Sequence, residues 1–594
     1  MIKQLFYFSL LLFVSSAFSQ TELPRGLTPE EKITLPNYVS PSRTERAYGN
    51  TTPPTDNVRT MAEWEEIEYL VISWSGYSSI LAQIVDAAKD ECKVAIFCNT
   101  NNDVTSAQNY LSNQGIDLTH VEFYAPGNNS IWIRDFGAFS VYKNDVDSLY
   151  LVEWIYNRPR PKDDVMPQFY AQQYNIPLYS TTAAPTDLVN TGGNFMVDGL
   201  NRAMASKLIL SENEPGNPYN VTVKSESDID QIMHDFMGVS EFVKMTVLPY
   251  DGIHHIDMHM KLLDEETLLV GEYPLGISDG PQIEDNLAYV LTNFTTPFGN
   301  PYKVVRIPMP PATNGTHPSQ GASYRTYANG VFVNKTYIVP TYRQEYDTIA
   351  LRILHENLPG YNIVPIDCDN SGSNLISLGG AIHCITNSIG VQDPLWIVHQ
   401  VIDSAEVNTA FLDARIQHKS GISQATIYYT TNTSLPFITQ TMSLIDPAQH
   451  IWEAQLLNLN PGDTVYYYIH AEANNGKQQS RPITAPDGYY YFVVTGDGST
   501  SAALTEKEET ILSSLYPNPA HDITSLKINH LKGEQVKIDI YAITGELVKP
   551  LYDGKIYEDE RQFFIDVSSL SSGVYFVTVT SSNGKQWSQK LNKQ

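Results

Sequence analysis

The sequence predicts an α/β domain followed by an all-β part. Over residues 58–396, short apolar runs such as Tyr69–Trp74 and Lys93–Phe97 alternate with helix-like stretches such as Ser79–Asp90. Such alternation is typical of α/β folds built from repeated strand–helix units. Beyond residue 397, β-branched and aromatic runs follow one another with only turn signals between them, which predicts strands alone.

The length of 594 residues exceeds what one hydrophobic core supports, so several domains are expected. A segment rich in Pro, Thr, Ser and Arg near the N-terminus and a Gly/Ser/Thr/Ala stretch near residue 500 indicate linkers. The predicted boundaries are 1–19 for a signal peptide, 20–57 for a linker or pro-segment, 58–396 for the α/β domain, 397–495 for a small β-sandwich, 496–512 for a linker and 513–594 for a second all-β domain.

The N-terminus has the pattern of a secretory signal peptide. Lys3 supplies a positive charge, and an apolar run over Leu5–Val14 is broken only by Ser9. Small residues follow over Ser15–Ser19, and the apolar run is too short to span a bilayer stably. We therefore expect export of a protein without a transmembrane helix, with a buried N-terminal helix as the alternative.

The charge excludes one class of partner. The formal net charge is −28, from 38 basic and 66 acidic side chains. Nucleic-acid binding requires clustered Lys and Arg to contact phosphates, so no nucleic-acid partner is expected. An acidic protein is compatible with cationic ligands, although acidity alone does not identify one.

The four cysteines do not form a disulfide framework. Cys92 and Cys98 flank one predicted strand and would lie roughly 20 Å apart. That separation exceeds the Cα distance of about 7 Å that a disulfide tolerates. A bond between Cys368 and Cys384 remains possible, and at least one cysteine is available for chemistry.

The all-β part divides into two regions. The first has strand-like runs over Gln424–Thr430, Thr464–His470 and Tyr489–Val494, with a turn at Asn460–Asp463, and fits a small Ig-like β-sandwich. The second opens with Leu515–Ala520, alternates apolar residues at 536, 538 and 540, and ends with Gly573–Val579.

This second region resembles the C-terminal sorting domain of the type IX secretion pathway. The Tyr-Pro-Asn-Pro opening, the Gly-Glu-Leu-Val turn and the Ser-Gly-Val-Tyr-Phe-Val ending carry the resemblance over about eighty residues. It implies that the type IX machinery is a partner and that the protein passes through the periplasm to be secreted or held at the outer-membrane surface. The alternative is a second sandwich that serves in adhesion.

Five segments of the α/β region place reactive or guanidinium-complementary groups beside glycine or aromatic residues. Each alone has a structural explanation, such as an ion pair or a buried thiol. They are Trp132–Gly137, Thr191–Phe195, His254–Asp257, Tyr327–Asn329 and Leu378–Cys384.

Cys384 is the candidate nucleophile. It follows two glycines, which let the backbone turn tightly and approach a ligand. A thiol beside a cationic group ionises more easily, and the thiolate is the reactive form. A buried inert cysteine, or one bonded to Cys368, is the alternative.

Two carboxylates and a histidine complete the candidate chemistry. If the segment is extended, His255 and Asp257 point to the same side, and His259 would continue that face, so metal binding is a rival interpretation. Asp135, following Trp132 and Arg134, would grip a planar cation from another angle while the indole offers an aromatic face.

The order of these motifs resembles the agmatine deiminase and bacterial peptidylarginine deiminase family. Trp-x-Arg-Asp, Gly-Gly, His-x-Asp, Tyr-x-Asn and Gly-Gly-x-x-His-Cys occur in sequence, with Met61–Glu65 and Asn194–Gly199 also similar, over residues 58–396. The resemblance implies a pentein fold, a five-bladed α/β propeller with its active site on the central axis.

The resemblance also implies a role for each matching residue. Cys384 would attack the guanidinium carbon, while Asp135 and Asp257 would clamp the guanidinium nitrogens. His255 would protonate the departing ammonia and then activate water. Asn329 would orient the nucleophile or substrate; the earlier Ser323-Tyr324 offers a competing register for this motif. The expected reaction is hydrolysis of an amidine C–N bond without a cofactor.

The pair Arg158 and Arg160 is the main indication of the substrate. Each is followed by proline, which favours extended backbone before it, so the two guanidinia would project together and bind a carboxylate. The segment resembles the Arg-Pro-Arg that receives the α-carboxylate of a C-terminal arginine in bacterial peptidylarginine deiminases. A solvated basic turn is the alternative.

The sequence therefore predicts a secreted peptidylarginine deiminase acting on arginine-containing peptides or proteins. A secreted agmatine deiminase, as in putrescine biosynthesis, or a free-arginine deiminase is the enzyme alternative, and an inactive surface-binding protein is the alternative from another class. Structural calcium is possible at carboxylate clusters such as Asp163-Asp164, although no EF-hand-like loop occurs.

Overall fold

A computed structural model describes residues 22–43, 48–274, 276–407, 410–496 and 511–594. The predicted signal peptide, residues 1–19, and most of the predicted linker 496–512 lie outside the described residues. Within the described ranges, no helix combines the length and apolar character needed to cross a membrane.

Ten α-helices occur among the described residues, all before the all-β part. They are α1 (Pro29–Thr34), α2 (Ser78–Ala88), α3 (Asn101–Asn113), α4 (Ile133–Phe136), α5 (Pro161–Asp164), α6 (Met166–Gln173), α7 (Leu208–Ser211), α8 (Glu226–Met237), α9 (Gly280–Asn293) and α10 (Gln344–Asn357).

The strands of the α/β region form five separate sheets. They are β1 (Val58–Thr60), β2 (Ile67–Trp74), β3 (Lys93–Cys98), β4 (Val121–Tyr124), β5 (Phe139–Lys143), β6 (Ser148–Tyr156), β7 (Leu178–Thr181), β8 (Val189–Asn190), β9 (Met196–Val197), β10 (Arg202–Ser206), β11 (Glu241–Met245), β12 (Met260–Leu262), β13 (Thr267–Glu272), β14 (Lys303–Pro308), β15 (Val331–Val333), β16 (Thr336–Thr341), β17 (Asn362–Asp367) and β18 (Asn387–Gly390).

Each sheet contains the same unit of an antiparallel pair followed by a parallel strand. The units are β18-β2-β3, β5-β6-β7, β9-β10-β11, β12-β13-β14 and β15-β16-β17. A helix connects the two parallel strands in every unit, namely α2, α6, α8, α9 and α10 in that order. A parallel pair needs such a crossover, which explains why strands and helices alternate along the sequence.

The amphipathic pattern of the crossover helices buries one face against its sheet. In α2, the buried positions Ile80, Leu81, Ile84, Val85 and Ala88 recur at helical spacing. This helix and the strands β2 and β3 lie within a residue or two of the runs that the sequence predicts. The predicted α/β character of this region is confirmed.

The first unit joins the two ends of the α/β region. β18, near its C-terminal end, pairs antiparallel with β2, near its N-terminal end. One hydrophobic cluster contains residues of all five sheets between Met61 and Ile389, and a second cluster packs between the sheet that contains β6 and the sheet that contains β10. The turn that precedes β18 is therefore held beside strands from the start of the chain.

The all-β part contains two further packed regions. β19 (Trp396–Val398), β20 (Ser404–Glu406), β21 (Phe411–Gln417), β22 (Ile422–Thr430), β23 (Ile438–Thr441), β24 (Ser443–Asp446), β25 (Ile451–Gln455), β26 (Thr464–Ala473), β27 (Gln478–Arg481) and β28 (Tyr490–Thr495) form a four-stranded and a six-stranded sheet. β29 (Ile523–Asn529), β30 (Gln535–Ala542), β31 (Leu547–Lys555), β32 (Glu560–Asp566), β33 (Gly573–Ser581) and β34 (Gln586–Lys593) form a two-stranded and a four-stranded sheet.

The period-two patterns of the sequence explain these strands. Every second residue of β26 is buried, and Val536, Ile538 and Ile540 of β30 are all buried in the core of the last region. The prediction of a C-terminal all-β part is confirmed, and each of its two regions has a hydrophobic core of its own.

Candidate active site

One residue of the candidate site occupies an equivalent position in each of the five repeated units. Each lies in the turn just before the first strand of its unit: Asp135 before β5, Gly193 before β9, Asp257 before β12, Asn329 before β15 and Cys384 before β18. The fold thus brings to one place five segments that are far apart in the sequence.

Cys384 lies in a short 3₁₀ turn, His383–Ile385, and its side chain is fully buried. The Sγ atom is 3.3 Å from Oδ1 of Asn329 and 3.6 Å from Oδ2 of Asp257. Burial raises the pKa of the thiol well above its ordinary value, although the charge of Arg25 opposes this. Cys384 is therefore a thiol that donates to Asn329 in this state.

A guanidinium already lies between the two predicted carboxylates, and it belongs to Arg25 of the same chain. Nε and Nη2 of Arg25 donate to the two oxygens of Asp135, each over 2.9 Å. Nη2 also donates to Oδ2 of Asp257 over 3.1 Å. Arg25 is completely buried, so the two carboxylates clamp a desolvated planar cation, as the sequence predicts for a substrate.

The charges of this clamp depend on one another. Burial alone would raise the pKa of Asp135, but the charge of Arg25 holds that pKa well below its ordinary value. Burial is likewise opposed at Asp257, where the charge of Arg25 and then the hydrogen bond with His383 lower the pKa of the carboxyl. Both carboxylates are therefore ionised while a guanidinium is bound.

Two glycines make room for the bound cation and the nucleophile. A Cβ on Gly193 would lie 2.0 Å from Nη2 of Arg25 and 2.8 Å from Nδ1 of His255. A Cβ on Gly380 would lie 2.9 Å from Sγ of Cys384 and 2.6 Å from the Trp132 ring. One glycine of each Gly-Gly motif therefore leaves the space that the guanidinium, or Cys384 and Trp132, occupies.

His255 lies beside the same guanidinium but makes no hydrogen bond. Its Nδ1 is 3.5 Å from Oδ1 of Asp135, and neither ring nitrogen has a hydrogen-bond partner. Burial, assisted by the charge of Arg25, lowers its pKa to about 4. The imidazole is therefore neutral at pH 7 while Arg25 is in place.

The local geometry of the His-x-Asp motif differs from the extended strand considered in the sequence analysis. Ile256–Met258 forms a 3₁₀ turn, and the strand begins only at Met260. His259 is buried with both ring nitrogens unpartnered. The turn, rather than a strand face, brings His255 and Asp257 to the same guanidinium.

Asn329 connects the separate parts of the site. Its Nδ2 donates to the carbonyl of Asp257 over 3.1 Å, and its Oδ1 accepts from the backbone N–H of His383 over 3.1 Å. Together with the contact to Cys384, these bonds favour Asn329 over the register that starts at Ser323.

Trp132, Arg158 and Arg160 contact main-chain carbonyls next to the bound arginine. The indole N–H of Trp132 donates to Leu23 O over 2.8 Å, so this contact differs from the expected aromatic face toward a cation. Nε of Arg158 donates to the carbonyl of Arg25 over 3.0 Å. Nη2 of Arg160 donates to Pro24 O and to Gly26 O over 2.7 and 3.1 Å.

Comparison of the chain with models of protein families identifies the family that carries this site. A model of the Porphyromonas-type peptidyl-arginine deiminase family matches residues 59–389, which is more than half of the chain. The chain belongs to this family. The match covers all five turns that carry the candidate catalytic residues, so the expected resemblance is confirmed.

Individual relatives of this deiminase family member are distant in sequence. An agmatine deiminase of Pseudomonas syringae is 25% identical over 57% of this chain and 96% of its own length. A solved agmatine deiminase of Enterococcus faecalis is 20% identical over 58% of this chain and 99% of its own, with a TM-score of 0.48. The family implies hydrolysis of an amidine C–N bond.

A second family model matches the C-terminal region of this family member. Residues 514–594 match the secretion system C-terminal sorting domain. The type IX sorting domain predicted from the sequence is confirmed, and it marks the protein for secretion or cell-surface attachment.

The structure of this family member adds two residues to the site that sequence reasoning did not assign. Nδ1 of His383 lies 2.9 Å from Oδ2 of Asp257, and its Nε2 lies 2.8 Å from Oε1 of Glu63. Glu63 also accepts from Nζ of Lys261 over 2.5 Å. The only signal in the sequence was that Glu63 and His383 lie inside segments that resemble the family.

We expect replacement of Glu63 by glutamine to destabilise the α/β region by about 2–3 kcal/mol, because it leaves the buried Lys261 without its counter-ion. Urea unfolding of the full chain measures the change. The double variant Glu63→Gln/Lys261→Met removes the stranded charge and should recover at least half of the loss. Equal stability of wild type and Glu63→Gln would contradict this account.

The alternatives for cysteine and metal find no support among the described residues. All four cysteines are free, so Cys368 does not bond Cys384. In the described ranges, the group with metal-ligand spacing is Glu345, His521 and Asp522, which does not include His255 or His259.

The aspartates considered for calcium already have hydrogen-bond donors. Asp163 accepts from the backbone N–H of Asn129 over 2.7 Å and from the Ser130 hydroxyl over 2.7 Å. Asp164 accepts from the backbone N–H of Tyr156 over 3.0 Å. These buried carboxylates therefore hold neighbouring loops together.

Proposed function

We propose that this protein is an exported peptidylarginine deiminase that converts arginine in peptides to citrulline and ammonia. One observation supports this most strongly. The guanidinium of Arg25, an arginine within a polypeptide, lies between Asp135 and Asp257 beside Cys384. Such a clamp holds a guanidinium carbon near attack geometry.

The proposed reaction uses Cys384 as the nucleophile. Its thiolate adds to the guanidinium carbon, forming a C–S bond, and the C–N bond to one terminal nitrogen then breaks. His255 protonates that nitrogen, which leaves as ammonia. Water adds to the resulting thiouronium carbon while His255 accepts its proton, and the C–S bond breaks to release citrulline and regenerate the thiolate. Only water is consumed, so we expect no cofactor.

The contacts to the main chain favour a peptide over agmatine. Trp132, Arg158 and Arg160 donate to the carbonyls of residues 23–26, which flank or belong to the bound arginine. Agmatine has no carbonyl or carboxylate for these donors. Buried donors left without acceptors weaken binding, so agmatine should be the poorer ligand.

A C-terminal arginine is the proposed preferred substrate. Arg158 contacts the carbonyl oxygen of Arg25, which in a C-terminal arginine would be one oxygen of the α-carboxylate. Arg160 already holds a carboxylate, because its Nε and Nη2 donate to the two oxygens of Glu31 over 2.7 and 3.1 Å. Charge-assisted bonds to a carboxylate are stronger than those to a neutral carbonyl.

The substrate class is tested by mass spectrometry of three compounds incubated with the full chain and with its Arg25→Ala variant. They are a peptide ending in arginine, the same peptide with an amidated C-terminus, and agmatine. We expect replacement of one guanidinium imino group by oxygen in the first peptide, with slower reaction of the second. Turnover of agmatine alone would reject the peptide substrate and retain the deiminase chemistry.

The role of Arg158 has its own expected result. Arg158→Ala should lower kcat/KM for the C-terminal arginine peptide by about 10- to 100-fold, because a charge-assisted bond is lost. Its rate with agmatine should not change. Arg352→Ala, at an exposed position of α10, serves as the matched control. An equal loss with both substrates would mean that Arg158 supports the fold rather than the carboxylate.

We also propose that the five sheets are the blades of the propeller that the family resemblance implies. Their repeated unit, the equivalent placement of the five turns and the pairing of β18 with β2 support this arrangement. A secreted agmatine or free-arginine deiminase is the second candidate function, favoured by the relatives described above as agmatine deiminases.

A further inference from the structure

The first described residues of the chain lie inside the candidate active site. We call residues 22–43 the N-terminal segment. It crosses the site without helix or strand, bends at Arg25 and Gly26, and then enters α1, which begins with a capping box in which Thr28 and Glu31 bond each other's backbone N–H groups. The segment is therefore ordered by its own sequence where it leaves the site.

Residues 22–26 are bound on both sides of Arg25 as a peptide would be. Its carbonyls accept from Trp132, Arg158 and Arg160, as described above. Its own groups also contact the site, because Arg25 N–H donates to Leu378 O over 2.8 Å and the Glu22 carboxylate accepts from Ile131 N–H over 3.0 Å. Apart from the Glu22 carboxylate, these contacts hold main-chain atoms of the segment.

We propose that the N-terminal segment is an intramolecular inhibitor of this deiminase, with Arg25 bound in place of the substrate arginine. Peptides then enter only after the segment leaves. The identity of the excluded competitor rests on the proposed function. The occlusion of Cys384 does not rest on the proposed function, because it follows from the position of Arg25 alone.

Two features strengthen the proposed inhibition: Arg25 and Cys384 are buried, and the N-terminal segment is covalently linked to the domain that it blocks. Arg25 and Cys384 are both 0% exposed, so a peptide or reagent cannot reach the thiol past the segment. A tethered ligand has an effective concentration that can reach the millimolar range, which a free peptide must exceed or outbind. Burial raises the pKa of both clamp carboxylates and Arg25 opposes this, so loss of Arg25 would leave Asp135 and Asp257 without their main counter-charge, which favours an occupied site.

The inhibitor requires that residue 25 remains arginine. The Arg25 guanidinium forms ion pairs with Asp135 and Asp257, over 2.9 and 3.1 Å. A neutral citrulline at this position would lose both ion pairs and release the segment.

The ion pair between Glu31 and Arg160 offers a way to weaken binding of the N-terminal segment without replacing Arg25. Glu31 belongs to the N-terminal segment and not to the proposed catalytic residues. Glu30, one position earlier in α1, is exposed and supplies the matched control. Glu31→Gln should loosen the segment, and Glu30→Gln should not.

The test is the rate at which iodoacetamide alkylates Cys384 in the full chain, measured by mass spectrometry of the Cys384 peptide. We expect at least a tenfold faster rate in Arg25→Ala than in wild type, an intermediate rate in Glu31→Gln and no change in Glu30→Gln. Cys368, which is fully buried away from the segment contacts, reports unfolding in the same digest. If Cys368 also reacts faster in Arg25→Ala, the comparison of Glu31→Gln with Glu30→Gln decides the question.

Equal alkylation of Cys384 in wild type, Arg25→Ala and Glu31→Gln would overturn the inhibitor. So would recovery of residue 25 as citrulline in most copies of the purified protein. These readouts separate the two proposals. Faster alkylation of Cys384 in Arg25→Ala without turnover of any peptide would support the inhibitor and reject the proposed function. Equal peptide turnover by wild type and Arg25→Ala would support the proposed function and reject the inhibitor.

Discussion

Replacement of Cys384 by alanine should abolish citrulline formation, lowering turnover by about 10⁴- to 10⁶-fold, as expected when a covalent nucleophile is removed. The loss should appear in kcat, because the guanidinium is held by Asp135 and Asp257 and not by sulfur. Mass spectrometry of a C-terminal arginine peptide, in the Arg25→Ala background, measures the reaction with an open site.

The matched control for this prediction is Cys368→Ala. Cys368 is also buried and free, but its Sγ contacts the carbonyl of Ile366 rather than the guanidinium clamp. This variant can lose stability through a small cavity and should keep its turnover within a few-fold. Turnover by Cys384→Ala at a rate close to that of Cys368→Ala would reject covalent catalysis by Cys384.

Replacement of Gly193 by alanine should remove guanidinium binding almost completely, raising KM for the arginine peptide by about 100-fold or more through overlap and lost ion pairs. The added Cβ would lie 2.0 Å from the guanidinium nitrogen and 2.9 Å from Oδ1 of Asp135. Backbone atoms set the Cβ position, so the clash cannot be relieved by a rotamer change.

Gly252→Ala is the control, because a Cβ there has open space and Gly252 has no positive φ. Steady-state kinetics with the arginine peptide measure the effect. The same Gly193→Ala protein should expel Arg25 and expose Cys384 to iodoacetamide, which gives a readout independent of turnover. Unchanged KM together with unchanged alkylation would mean that the guanidinium does not bind against Gly193.

The residues of the guanidinium clamp could be predicted because each depends on local chemistry that the sequence records. Asp135, Asp257 and Cys384 stand in short motifs with glycines or aromatics, and the order of those motifs resembles one family. The strand and helix runs could be predicted for a similar reason, since burial against a sheet imposes a period of two or 3.6 on the sequence.

Other parts of the site depend on contacts between distant segments. The pairing of His383 with Glu63 joins residues 320 positions apart, and Arg25 reaches Asp257 across 232 positions. No local period or spacing records such a contact. The 3₁₀ turn at Ile256–Met258 likewise replaced the extended strand considered for His255 and Asp257.

The sequence by itself therefore determined the α/β and all-β character, the sorting domain and the reactive residue types, because these are set by local pattern and composition. Only the tertiary structure decided that an arginine of the N-terminal segment fills the clamp and that Arg158 and Arg160 contact its main chain. The physical reason is that a buried cation is stable only where the whole fold brings carboxylate acceptors from distant segments around it.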